Sequence, residues 1–286
     1  MSAKSREERG LPHFFMLAYL ITWVLLGPWF FLFNRVWGGS IPWWGWLLVP
    51  LAFCGGYGPS LAAIFLSWRQ GGGRAVAALL SGLTLWRAHF GWYLLVLACP
   101  YGLAALAAVI AVPDFAAAFS PWASLKSVPL AVALALPFGP LGEEVGWRGY
   151  ALPRLVDRQG PWFGSLTLGV AWTFWHLPMI LLQPGAALPS FMPVTITSVA
   201  VYLAQVAGIT GIMTLVYYNT GRSVLIAVLL HLTFNISDGV LLDGLPDLAA
   251  PVRRGMYVVN VGLILVAGLV ALASDGVRRI HRQAAC

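Results

Sequence analysis

The apolar run from Phe14 to Phe33 is the feature that most limits what this chain can become. A helix needs about 20 predominantly apolar residues to cross a bilayer, and this run supplies them. Comparable runs recur at about 43–68, 91–112, 127–147, 161–182, 193–218, 223–242 and 256–274, separated by short segments that carry Lys and Arg. Only 9% of the 286 residues are charged and 59% are hydrophobic, whereas a soluble domain carries about 25% charged residues. A soluble protein of this size could not cover its surface with that supply. The expectation is an all-α, polytopic membrane protein of about eight transmembrane helices, a single integral-membrane domain over residues 1–286. Lys4, Arg6 and Arg9 resemble the charged start of a signal peptide. The run after them is too long for one and no A-x-A site follows, so it reads as an uncleaved span.

Charge sets the expected orientation. The net charge of +7 is scattered through short loops rather than clustered as a nucleic acid would require, so it reads as a cytoplasmic face. With both termini cytoplasmic, all but four of the 17 Lys and Arg fall on the inner side, leaving Arg35, Lys126, Arg253 and Arg254 outside. That places residues 70–75 inside and 185–190 outside. Cys54, Cys99 and Cys286 include no CxxC, so neither a disulfide framework nor a thiolate zinc site is indicated. Gln283 stands where a C-terminal prenylation box would need its cysteine.

Against this apolar background, Gly142-Glu143-Glu144-Val145-Gly146-Trp147-Arg148 stands out, because the whole chain has only 10 acidic residues. Ionisable groups at membrane depth are expensive and usually functional. In a helix, Glu144 and Arg148 share a face and can pair, while Glu143 is rotated about 100° away. One glutamate is then neutralised and the other is left for chemistry. Pro137, Gly139 and Pro140 should break the span just before Glu143, and the Gly55–Ser60 patch should let helices approach closely.

Two of the five histidines, His176 and His231, lie inside predicted spans. His231 and Asn235 are one helical turn apart and project to one point, and Asp238 continues that face as a structural polar contact. Alone, each polar residue reads as interhelical hydrogen bonding. Together, a glutamate pair, two histidines and an asparagine on three spans point to one hydrated pocket. A carboxylate there can act as general base for water, an imidazole can hold or relay its proton, and a second His with an Asn amide can donate to an oxyanion. That set suits amide hydrolysis without a covalent intermediate. No His-Glu-x-x-His, Gly-x-Ser-x-Gly or pair of transmembrane Asp residues occurs.

Glu143, Glu144 and Arg148, then Trp172 and His176, then His231 and Asn235, spread over about 137–240, resemble the motifs of the CPBP family. These are the CAAX-protease and bacteriocin-processing proteins, which include glutamate-type prenyl-protein endopeptidases. Gly58-Pro59-Ser60 and the eight-span layout resemble the family as well; Trp172 stands where the family usually has Phe. The resemblance implies that Glu143 activates water with His176, that His231 and Asn235 bind the oxyanion, and that Glu144, Arg148 and Trp172 support the site. It implies an intramembrane endopeptidase needing no cofactor or metal; the charge-based orientation, which puts Glu143 and Glu144 toward the cytoplasmic end of their span, has it open to the cytoplasm. Its partners would be the bilayer and a protein or peptide substrate, lipidated or membrane-bound, and no nucleic acid. Two alternatives stand beside it: a divalent metal held by Glu143, His176 and His231, and a non-catalytic scaffold, immunity factor or small transporter.

Overall fold

The computed structural model describes residues 3–183, 185–274 and 277. Arg278, Arg279, His281, Arg282 and Cys286 lie outside the described residues, as does the position of the prenylation-box test. In chain order the helices are α1 (Ala3–Phe31), α2 (Val49–Gly56), α3 (Gly58–Leu80), α4 (Phe90–Ala111), α5 (Phe115–Ala118), α6 (Pro121–Phe138) and α7 (Pro140–Glu144). A π-helical turn, Val145–Ala151, leads into α8 (Leu152–Trp175), α9 (Leu177–Leu182), α10 (Ile196–Asn219), α11 (Val224–Asp243) and α12 (Ala250–Ala273). No strand occurs among the described residues.

Six helical stretches are long and apolar enough to cross a membrane, or seven if the bent pair Trp43–Gly56 and Gly58–Thr84 counts as one span. The protein is a multi-pass integral membrane protein. The expected eight divides the continuous stretch Pro121–Leu182 in two. That stretch is indeed broken, at Gly139 (φ −144, ψ −91) and at Gly160 (φ 75, ψ 168). The first break has the cause foreseen: Pro140 offers no N–H to the helix before it and its ring disfavours a helical Gly139. The second needs glycine, since almost no other residue adopts that conformation.

Small residues set the closest packing. A Cβ at Gly268 of α12 would lie 2.3 Å from the Gly208 carbonyl oxygen of α10. The two backbones therefore touch, as small-residue crossings in membranes allow.

The Gly55–Ser60 patch positions the acidic stretch. The chain bends by 62° between α2 and α3. Thr22 Oγ1 of α1 donates to the freed Gly55 carbonyl (2.6 Å) and accepts from Trp175 Nε1 (2.9 Å). On the other side of the bend, a Cβ at Gly146 would sit 2.4 Å from the Pro59 carbonyl oxygen, and one at Gly142 would sit 2.9 Å from the Gly56 oxygen. The turn bearing Glu143 and Glu144 is thus seated backbone to backbone on the bend.

Candidate active site

Glu143 closes α7 with Glu144, and both side chains are buried. Burying a carboxylate requires partners, and the two glutamates find different ones. Glu144 Oε1 accepts from Arg148 Nη1 at 2.8 Å, the contact expected from their spacing. The same oxygen accepts from His231 Nδ1 at 2.7 Å, a contact no sequence spacing announces because α11 brings it from 87 residues away. Arg148, itself fully buried, also lies over the Trp172 ring, with its guanidinium carbon 4.3 Å from the centroid. Guanidinium on an indole face is a favourable use of a buried cation.

Glu143 makes no ion pair among the described residues, but it is not loose. Its Oε2 accepts from Trp172 Nε1 at 2.7 Å and from Trp147 Nε1 at 3.3 Å. Two indole N–H groups hold one carboxylate oxygen and leave the other uncommitted. The sequence reading missed both donors. Trp147 was findable, since it stands four residues after Glu143 on a helical turn. Trp172, expected only to support the site in place of the family's usual Phe, gives Glu143 an N–H that a phenylalanine could not.

His176 follows α8. Its Nδ1 donates to the Trp172 carbonyl at 2.9 Å. A neutral imidazole with its proton on Nδ1 carries a bare lone pair on Nε2. The ring is held edge-on by Trp175 (centroids 4.7 Å apart) and Tyr202 (5.5 Å). The Trp172 ring stands between the two histidines, 6.0 Å from His176 and 4.9 Å from His231.

Glu143 from α7, His176 from the junction of α8 and α9, and His231 and Asn235 from α11 all line one cavity of about 540 Å³. That size is ordinary for a ligand site. Gly139 closes the gap between two of them: a Cβ there would lie 3.2 Å from Asn235 Nδ2 and 3.6 Å from Glu143 Oε1. Among the described residues, no three His, Cys, Asp or Glu side chains meet as a metal-binding cluster. The set Glu143, His176 and His231 shares the cavity without converging in that way, and Glu144 occupies one nitrogen of His231.

The rest of the lining shows where the cavity lies. It takes Tyr202 and Gln205 from the first half of α10, Asp238 and Leu242 from the end of α11, Tyr257 from the start of α12, and Gly185–Phe191 from the loop after α9. This end of the bundle is the one that the Lys and Arg count places outside. The expected orientation and the expected cytoplasmic opening therefore oppose each other.

Residues 125–237 match the family model described as type II CAAX prenyl endopeptidase Rce1-like. A stretch of 100 residues is 28% identical to CAAX prenyl protease 2 of Methanococcus maripaludis. It covers 35% of this chain and 36% of that protein, so the match spans about a third of the relative's length. The family match contains Glu143, Glu144, Arg148, Trp172, His176, His231 and Asn235.

Proposed function

We propose that the chain is a member of the CPBP family of CAAX-type intramembrane proteases, to which residues 125–237 are similar, and that it cuts a peptide bond with water activated by Glu143. The observation that carries this reading is the contrast between the two glutamates. Glu144 is spent on Arg148 and His231, while Glu143 is steadied by two N–H donors, is unmatched by a cation, and faces the cavity. In this reading Glu143 removes a proton from water, and the bare Nε2 of His176 accepts a hydrogen bond from the O–H that remains. The hydroxide attacks the carbonyl carbon. Asn235 Nδ2 and His231 Nε2 donate to the oxyanion, and Glu143 returns its proton to the leaving amine. This step uses both ring nitrogens of His231, Nδ1–H toward Glu144 and Nε2–H toward the oxyanion.

The name of the Methanococcus maripaludis relative suggests a lipidated or membrane-bound protein as substrate, and the apolar cavity wall suits one. Purified protein in liposomes tests the mechanism. Asn235→Ala is expected to lower kcat about 100- to 1,000-fold without a comparable rise in KM, as for removal of one oxyanion donor in other hydrolases. His231→Ala should behave alike, and the double variant should lose less than the product, since groups acting as a unit are not additive. Metal content is measured on the same proteins. Metal lost from His231→Ala but kept in Asn235→Ala would replace the mechanism with a metal-dependent one. Full activity in His231→Ala would end it.

Orientation decides from which side substrate arrives. Cysteines placed at 70–75 should react with an impermeant thiol reagent only from the cytoplasm, and those at 185–190 only from outside. Because Gly185–Phe191 line the cavity, that result would make the mouth extracytoplasmic. The reverse labelling would restore a cytoplasmic mouth and overturn the charge-based topology.

A further inference from the structure

One carboxylate in the cavity takes no part in the proposed reaction. Asp238 lines it two turns beyond His231 on α11, half-buried. Asn260 Nδ2 of α12 donates to its Oδ1 at 2.7 Å. Among the described residues no Lys or Arg lines the cavity, and His231, on the same lining, is committed to Glu144 two turns away. A carboxylate removed from bulk water without a counter-charge is costly unless something pairs with it.

Its surroundings are rich in acceptors. Asn260 is 1% exposed, and its Oδ1 has no partner among the described residues. Gln205 Oε1 and the Tyr257 hydroxyl, bonded to each other at 2.7 Å, line the same wall. The Asp238 carboxylate, with the Gln205 and Tyr257 oxygens beside it on the lining, suits a group that brings both hydrogens and positive charge. We propose that Asp238, backed by Asn260, binds a cationic group of the substrate peptide, an ammonium or a guanidinium. Seven residues of α-helix separate it from His231, about 10 Å, which equals roughly three residues of extended peptide. The cation therefore sits about three residues from the bond to be cut.

This inference rests on the protease reading, so binding and cleavage are measured separately. The probes are synthetic apolar peptides with one Lys walked along the sequence, each with an acetyl-lysine counterpart. N-terminal acetylation in both sets separates a side-chain ammonium from a terminal one. Binding is measured by anisotropy on the full-length Glu143→Gln protein in nanodiscs, and cleavage on the unsubstituted protein. At one Lys position binding should exceed that of the acetylated peptide by roughly 10- to 100-fold, the usual worth of a hydrogen bond to a charged group. Adding Asp238→Asn preserves the acceptor for Asn260 and should reduce that preference to within about twofold. A preference that survives Asp238→Asn, or no preference at any position, overturns the proposal. Cleavage without preference would leave the protease reading standing and end this one. Preferential binding without cleavage would do the opposite.

Discussion

Glu143→Gln is expected to stop peptide cleavage while leaving the protein folded and in the membrane. Glutamine matches glutamate in shape and can still accept the Trp172 and Trp147 hydrogen bonds through its carbonyl oxygen. It cannot take a proton from water. Loss of a general base costs about 100- to 10,000-fold in rate, and here the same group must also return the proton to the leaving amine. The loss should appear in kcat, with peptide binding little changed. Thermal unfolding in detergent should stay near that of the unsubstituted protein, because Glu143 carries no ion pair whose removal strands a partner. A Glu143→Gln protein that cuts at an undiminished rate would remove this residue from the chemistry.

Glu144→Gln should fail in the other way. Arg148 is fully buried, and Glu144 is its ion-pair partner. Removing one member of a buried pair costs about 3–5 kcal/mol, because the remaining charge stays in a medium that cannot solvate it. The carboxylate also holds His231, so the loss is shared by two groups on different helices. The expected result is a lower midpoint of thermal unfolding and reduced yield, with whatever protein folds showing reduced kcat through a misplaced His231. Replacing Glu144 and Arg148 together with apolar residues should recover stability, since no charge is stranded, but not activity. If Glu144→Gln is as stable as the parent and inactive while Glu143→Gln cuts, the two roles are exchanged.

Local relations were legible in the sequence. The Glu144–Arg148 contact lies within one helical turn, and the break at Gly139 follows from the proline next to it. The long apolar runs gave the class of protein. Relations made by tertiary packing were not legible. His231 reaches Glu144 rather than acting only with Asn235, because α11 lies against α7. Trp172 donates to Glu143 because α8 returns beside the acidic turn. About eight spans agrees with the six or seven apolar helical stretches once Pro121–Leu182, 62 residues long and broken at Gly139 and Gly160, is divided in two. Asp238 read as a structural contact because no pattern along one helix shows whether a cation faces it from another.

The acidic turn continues into Val145–Ala151, a π-helical segment. A turn of that kind is an α-helix holding one residue beyond what its rise requires. Chain length there is counted in single residues, and side-chain chemistry is not the only thing the segment stores. That surplus is already spent, so adding one more residue between Arg148 and Leu152 would leave every proposed catalytic side chain present but find no slack to absorb it. It would also turn the start of α8 by about 100°, swinging the buried Leu152, Leu155 and Val156 away from the core. Gly164 packs against the backbone of Leu155 and Val156, so the rotation would pass down the helix toward Trp172 and His176. A single inserted codon here would therefore silence the protein even though Gly146, Trp147 and Arg148 kept their identities.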